Sequence, residues 1–268
     1  MAKLTLLIGN RATCAASLQA WLTMRCSELS FETVRPPLDR ERAPAGQGLP
    51  WPAAVPPVLL VDEVPIWGSL AIGEFLAEHV PGLWPAEPRA RALARSIVGE
   101  LHGGLADLQR FLPLDLLSRF GAPGRLLRGV ERDLARITAL WAECGTRHAA
   151  GGPFLFGRFS LADAMSAPVA ARLAGHSVPI PPETSGYVRT IMSLPALLEW
   201  VETAAVEQGE KVTSASATSL PLGSDLPPDP RRHSSDPPPA QPRSDPIGPA
   251  SLHSSAVKPI GVGTRRRH

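Results

Sequence analysis

The chain has 268 residues, 44% of them hydrophobic, a formal net charge of +2 and three cysteines. That length and apolar content provide for one large globular domain or two small ones. The small positive excess argues against a nucleic-acid partner, and no apolar run is long enough to span a bilayer. Cys14, Cys26 and Cys144 are few, odd in number and widely spaced, which fits a reduced, disulfide-free cytoplasmic protein. No signal-peptide pattern precedes the first apolar run, and no metal is expected.

Residues 3–8, KLTLLI, read as a buried strand bounded by Gly9-Asn10. From Ala15 to Cys26 the spacing of Leu18, Trp21, Leu22 and Arg25 predicts a helix. LSFETVR, residues 29–35, reads as a second strand, followed by a Pro/Gly-punctuated loop from Pro36 to about Ala54. PVLLVDEVPIW, residues 57–67, holds two short apolar runs around Asp62-Glu63, the pattern of a hairpin. Ser69 is placed to cap a helix whose face is Ile72, Phe75, Leu76 and Val80, stopped by Pro81-Gly82. Residues 1–80 thus form a βαβ–ββα unit, and 81–87 a linker.

Residues 88–208 read as wholly helical. Ala90, Leu93, Ile97, Leu101, Leu105, Leu108 and Leu112 repeat at helical spacing, interrupted by Pro113 and by Gly121 to Gly124. Val130, Leu134, Ile137, Trp141 and Cys144 repeat again, closed by Gly151-Gly152-Pro153. In FLFGRFSLADAMSAPVAARL, Ser160 and Asp163 have capping-box spacing, with Phe159 and Ala164 where a hydrophobic staple would sit. The last aromatic residue is Trp200. Residues 209–268 are rich in Pro, Ser, Asp and Arg and are expected to be disordered, because they cannot bury enough apolar area to offset their ordering entropy. A proline-rich ligand (PPPAQPR) or a phosphate-seeking tip (RRR) are the functional alternatives for this tail.

An α/β unit of this order followed by an all-helical one resembles the cytosolic glutathione S-transferase family, most closely its zeta-like bacterial branch, over roughly residues 3 to 207. FLFGRFSLADAMSAPVAARL is similar to the family's helix-six signature, and LPALLEWVETA to its closing helix. PVLLVDEVPIWGSLAIGEFLAE resembles the family's cis-proline strand and Ser-bearing helix start. The resemblance implies a thioredoxin-like domain that binds glutathione as co-substrate, a helical domain holding a small hydrophobic electrophile, and a homodimer.

The same resemblance places Cys14 of TCAAS where the branch has its catalytic serine, with Ser17 matching a later serine of that stretch. Omega-like and beta-like members carry cysteine there and tend toward thiol–disulfide exchange. CAAS also has the C-x-x-S form of a monothiol glutaredoxin centre. A thiolate at a helix N-terminus faces the positive end of the helix dipole, which favours the nucleophilic form, and Arg11 is close by in sequence. The alternative is that Cys14 fills space as a small apolar residue, as expected of Cys26 and Cys144.

The family's glutathione cradle maps onto Val55, Pro56, Pro57, Gly68 and Ser69. Family spacing selects Pro57 as the cis-proline, which makes the preceding residue Pro56, without an N–H. A one-residue bulge would instead assign the role to Val55-Pro56. Gly68 stands where the family has an acidic residue, and Val55 where a basic one is common. Ser69 and its helix amides remain for the γ-glutamyl carboxylate. His102 is assigned to the second-substrate pocket, or else is a partly buried histidine with a backbone partner. Trp67 is read as packing, and Tyr187 lies too late in the chain to activate a thiol. The implied activities are conjugation, thiol exchange through Cys14, or maleylacetoacetate-like isomerisation. The alternative is a non-catalytic scaffold.

Overall fold

The computed structural model describes residues 3–36, 53, 55–148 and 151–209. The tail from 210 to 268, with its PPPAQPR and RRR motifs, and most of the 36–54 loop lie outside the described residues. Among them, no helix is long and apolar enough to cross a membrane.

Four strands form one mixed sheet. β1 (Leu4–Leu7) lies between β2 (Glu32–Val34), its parallel neighbour, and β3 (Val58–Val61), which runs antiparallel to it; β4 (Val64–Trp67) closes the other edge. The parallel β1–β2 pair requires a crossover, supplied by α1 (Ala15–Cys26). β3 and β4 are joined by Asp62 and Glu63, both at positive φ (47° and 76°), the backbone that a two-residue hairpin turn needs. β2 is shorter than the LSFETVR run suggests, beginning only at Glu32.

Leu6 and Ile8 of the β1 segment and Leu59 of β3 point into a core completed by Leu18, Leu22 and Met24 of α1 and by Ile72 and Leu76 of α2 (Ser69–His79). Each fully buried aliphatic side chain contributes roughly 1.5–3 kcal/mol relative to exposure. The same cluster continues into the helical half: α3 (Pro88–Gly103), α4 (Ala106–Phe111), α5 (Arg128–His148), α6 (Leu161–Gly175), α7 (Pro182–Met192) and α8 (Pro195–Glu207). α6 is buried on nearly all sides and packs against α1, α3 and α7. α2 comes so close to the start of α6 that a Cβ on Gly73 would lie 2.5 Å from Leu161 Cδ1. Trp200 of α8 stacks at a tilt on Trp21 of α1, centroids 5.2 Å apart, and its Nε1–H donates to the Arg11 carbonyl at 2.8 Å.

The apolar repeat from Ala90 to Leu112 reads as one long helical segment, but it forms two helices. Gly104 and Leu105, the latter at φ 55°, break it. α4 is then capped from α5: the Asp133 carboxylate accepts the N–H groups of Asp107 (3.0 Å) and Leu108 (3.1 Å). At α6, Asp163 closes a capping box, taking the Ser160 N–H at 2.9 Å and the Ser160 hydroxyl at 2.8 Å.

Candidate functional site

The site is built at the end of β1. Ile8 extends the strand by donating to the Val34 carbonyl at 2.9 Å. Asn10 then turns the chain, its Oδ1 accepting the N–H of Ala12 (2.8 Å) and Thr13 (3.2 Å), while its carbonyl accepts the N–H of Cys14 (2.9 Å). This Asx turn delivers Cys14 to the N-cap of α1 in extended backbone (φ −87°, ψ 93°). The Cys14 side chain makes no capping bond and is half-exposed. Its Sγ lies 3.0 Å from Ser17 Oγ one turn on, and Ser17, 0% exposed, also accepts the buried Gly9 N–H at 3.0 Å.

Pro56 sits across Gly9 from the helix. A Cβ added to Gly9 would stand 3.1 Å from Pro56 Cγ and 3.2 Å from Cys14 Sγ, so the bare Gly9 backbone separates the thiol from the pyrrolidine ring. Val58 pairs with Leu7 and Trp67, and the Pro57 carbonyl accepts the Gly68 N–H at 3.0 Å, so Pro57 directly precedes β3. The Pro56–Pro57 bond is cis. With Pro57 directly before β3, Val55 is 68% exposed and Pro56 presents only a carbonyl at this place.

Gly68, at φ 86°, is the N-cap of α2, and Ser69 is its first helical residue. This corrects the expectation that Ser69 is the cap. Already inside the helix and 2% exposed, its hydroxyl is turned to α1 and donates to Gln19 Oε1 at 2.8 Å. Gln19 Nε2 in turn donates to the Met165 carbonyl of α6 at 3.2 Å, so one side chain ties three helices together. The first-turn amides of α2 have no intrahelical acceptors and remain available to an anion.

The structure brings together Cys14, Ser17 and Pro56, with Pro57 joined to Gly68. His102 is exposed in the last turn of α3, which corrects the reading of a partly buried side chain. The segment touching the Cys14 loop is instead the one after α4, where Leu116 N–H donates to the Ala12 carbonyl at 3.0 Å. That segment is held from behind by α6. Arg172 Nε donates to the Leu112 carbonyl at 3.0 Å, and His176 Nε2 bonds the Pro113 carbonyl at 2.9 Å beneath a stacked Phe120. Burial lowers Arg172 to about 10 and also lowers His176. Sequence reading missed this wall; its one local signal is Asp115, whose carboxylate accepts from Leu117 N–H and the Ser118 hydroxyl.

Arg11 does not serve the thiol. Its guanidinium lies 4.6 Å over the Trp200 ring and pairs with Glu207 at 2.6 Å. Burial pushes the Cys26 and Cys144 thiols up to about 12, consistent with a packing role for both. Tyr187, half-buried, donates to Asp163 Oδ1 at 3.1 Å, and Trp67 is 47% exposed on the edge strand rather than packed inside. A groove of about 830 Å³, lined by Leu4, Leu29, Phe31, Val61, Phe75 and Val80, opens at the opposite end of β1 and includes none of these site residues.

No family model matches the chain, and no curated protein matches it. Solved structures do. A glutathione transferase homolog from Burkholderia gl BGR1 with bound glutathione is 20% identical over 76% of this chain and 98% of its own, with a TM-score of 0.56. The theta-class glutathione S-transferase of Xanthomonas axonopodis pv. citri, with glutathione bound, is 21% identical over 75% and 98%, TM-score 0.51. Glutathione transferase Omega 2S of Trametes versicolor, in complex with 2,4-dihydroxybenzophenone, is 19% identical over 78% and 97%, TM-score 0.56. At these identities the likeness is one of fold: this chain has the glutathione transferase fold, an α/β half followed by an all-helical half. The neighbours fall in several classes of that fold, Tau among them.

Proposed function

We propose that this chain is a cytosolic glutathione S-transferase-like enzyme whose Cys14 carries thiol–disulfide exchange with glutathione. The observation that carries the reading is a half-exposed thiol at the N-cap of α1, 3.0 Å from a buried hydroxyl, on this fold. The Cys14 thiolate attacks one sulfur of a disulfide, forming a mixed disulfide and releasing the other half as a thiolate that takes a proton from solvent. A second thiolate attacks the mixed disulfide and returns Cys14 to its starting state. The disulfide is the oxidant and the second thiol, glutathione in this reading, is the reductant that leaves as part of a new disulfide.

Residues 1–80 serve in this reading as the glutathione-binding domain and 88–208 as the helical domain, joined by 81–87. Two chains form a homodimer, and His102 borders the second-substrate pocket. Glutathione is held by the Pro56 carbonyl and, through its γ-glutamyl carboxylate, by the first-turn amides of α2 from Ser69 on, next to Gly68, whose own N–H is taken by the Pro57 carbonyl. The cradle is a weak one. Pro56 lacks the N–H, Gly68 lacks an acid, and the Ser69 hydroxyl is engaged with Gln19. Hydrogen bonds to charged groups are worth about 1.5–3 kcal/mol, so the losses at Pro56 and Gly68 alone weaken glutathione by about two to four orders of magnitude. The same three features favour the second reading, a glutathione-transferase-like scaffold without catalysis.

Isothermal titration of the full chain with glutathione, followed by disulfide-exchange assay of wild type and Cys14→Ser, separates the readings. Saturable heat only at millimolar glutathione, with exchange lost in Cys14→Ser, is expected. Exchange that survives Cys14→Ser rules out the thiol mechanism and leaves conjugation to a small electrophile or maleylacetoacetate-like isomerisation. No heat at several millimolar glutathione leaves the scaffold.

A further inference from the structure

Two side chains one turn apart at the end of α6, Arg172 and His176, reach consecutive carbonyls of one segment. Arg172 Nε donates to the Leu112 carbonyl at 3.0 Å and His176 Nε2 to the Pro113 carbonyl at 2.9 Å. The far end of the segment is closed by the Phe120 N–H, which donates to the Gly175 carbonyl at 2.9 Å. The Phe120 ring lies flat on the imidazole, centroids 4.0 Å apart and planes 4° from parallel. Residues 112–120 are thus tied at both ends to the last turn of α6. Between those ties, Leu116 supports the Cys14 loop through its bond to the Ala12 carbonyl.

The Pro113 carbonyl can only accept, so the neutral imidazole carries its proton on Nε2 and a lone pair on Nδ1. Among the described residues, no group is hydrogen-bonded to Nδ1. A second proton would land there, on a buried side chain. The neighbouring charges oppose it. Arg172, also buried, is bonded to the Leu112 and Pro168 carbonyls and to no carboxylate among the described residues. On the wall, the Asp115 carboxylate is taken up by the Leu117 N–H and the Ser118 hydroxyl, while Arg119 adds a further cation, bonded to the Ser118 carbonyl. Residues 177–181, which follow, carry no charged side chain, and Glu183 of α7 is exposed. The C-terminal end of α6 favours a cation. Burial, joined by Arg172 and opposed by the Pro113 bond, nevertheless holds His176 below its ordinary 6.5.

We infer that His176 is a pH-sensitive latch on the 112–120 wall: neutral, it holds the wall to α6, and protonated, it weakens that hold and the support that Leu116 gives the site loop. The inference needs neither glutathione nor a reacting Cys14. Leu112, Leu114 and Leu116 are buried, so protonation changes how often the wall opens and not its resting place. Once the wall lifts, the imidazole is in water and takes its proton near 6.5. Opening is therefore suppressed above that pH and grows as pH falls below it, by up to about tenfold at one unit below.

The test is amide hydrogen exchange of the native full chain from pH 7.5 to 5.5, corrected for the intrinsic rate at each pH and read on peptides covering 112–120. Peptides from the middle of α5 serve as the reference for global opening. Wild type is expected to lose protection in 112–120 relative to α5 by severalfold, up to about tenfold at pH 5.5. His176→Gln keeps a donor for the Pro113 carbonyl but does not titrate, and its protection in 112–120 is expected to stay level across the range. A level wild-type profile, or the same loss in His176→Gln, overturns the inference. If His176→Gln does not fold, titration of the His176 ring in wild type by NMR decides. A midpoint below 6.5 is expected, and one at or above 6.5 means that the proton holds the wall, which overturns the inference equally. Neither readout involves glutathione or thiol exchange, so a failed glutathione titration and a failed latch test are separate results.

Discussion

Two helix N-termini in this molecule use a serine three residues from a potential anion, with opposite results. At α6, Asp163 collects the Ser160 N–H and hydroxyl, the Leu155 N–H at 3.1 Å and the Tyr187 hydroxyl at 3.1 Å, and has 0% exposure. At α1, Cys14 Sγ has, among the described residues, the single hydrogen-bond partner Ser17 and remains half-exposed. A group whose bonding capacity is filled by protein is an anchor. One that is oriented by a single bond and still open is suited to chemistry. The difference lies in what surrounds each pair: α6 is wrapped by helices and by the 154–160 segment, whereas α1 begins at the rim of the sheet.

The largest expected effect comes from breaking the anchor. Asp163→Ala removes four hydrogen bonds and leaves buried donors unpaired, which is expected to destabilise the fold by about 3 kcal/mol or more and lower Tm by roughly 6–12 °C. A thermal melt checks this, and a shift of under 2 °C would show that the cap is dispensable. Protonation of the same group sharpens the contrast. Burial, opposed by the bonds from Leu155, Ser160 and Tyr187, pushes Asp163 up from 3.8 to about 6. Between those values the folded state holds the proton and the unfolded state does not, so the contribution of Asp163 to stability falls as pH rises through that window. Two units correspond to roughly 3 kcal/mol at most. Stability of wild type relative to Asp163→Asn, followed by urea unfolding from pH 4 to 6.5, is expected to decline over that range. A flat difference sinks the assignment.

Both sites are legible in the sequence where their contacts are local and not where they are made across the chain. Ser160 and Asp163 are local partners, and the box can be read from spacing alone. The same holds for Cys14 and Ser17 as neighbours on one helix face, and for the Asp62-Glu63 turn between two apolar runs. Contacts made across the chain could not be read this way. Nothing near Gly104 announces that Asp133 of α5 caps α4, or that this cap lets one apolar repeat split into two helices. The Ser69 hydroxyl looks like a cap in sequence because its spacing to Ile72 is right; only the arrival of Gln19 from α1 diverts it. Leu116 meets Ala12 through the packing of α6 beneath both, and periodicity carries no trace of that.

Gly73 tests the scaffold between the two N-termini. In an exposed helix, Gly→Ala would stabilise by about 1 kcal/mol. Here the new Cβ would meet Leu161 Cδ1 at 2.5 Å and Cδ2 at 2.8 Å, at the first residue of α6. Overpacking of this kind costs about 1–3 kcal/mol. Gly73→Ala is therefore expected to lower stability in urea by about 1 kcal/mol net, less than Asp163→Ala. A stabilised variant would mean that Leu161 moves aside freely and that α2 does not brace the α6 cap.

The smallest effect on stability is expected at Cys14 itself. Cys14→Ser keeps a hydrogen-bonding group beside Ser17, removes no filled cap, and changes a side chain that is half-exposed, so the fold should change by less than about 0.5 kcal/mol. Disulfide exchange should nevertheless disappear, because a hydroxyl cannot form the mixed disulfide. Measuring unfolding and exchange on the same preparation makes the point decisive. Loss of both would make Cys14 a packing residue, like Cys144, whereas loss of exchange alone separates an open, singly bonded group from the saturated anchor at α6.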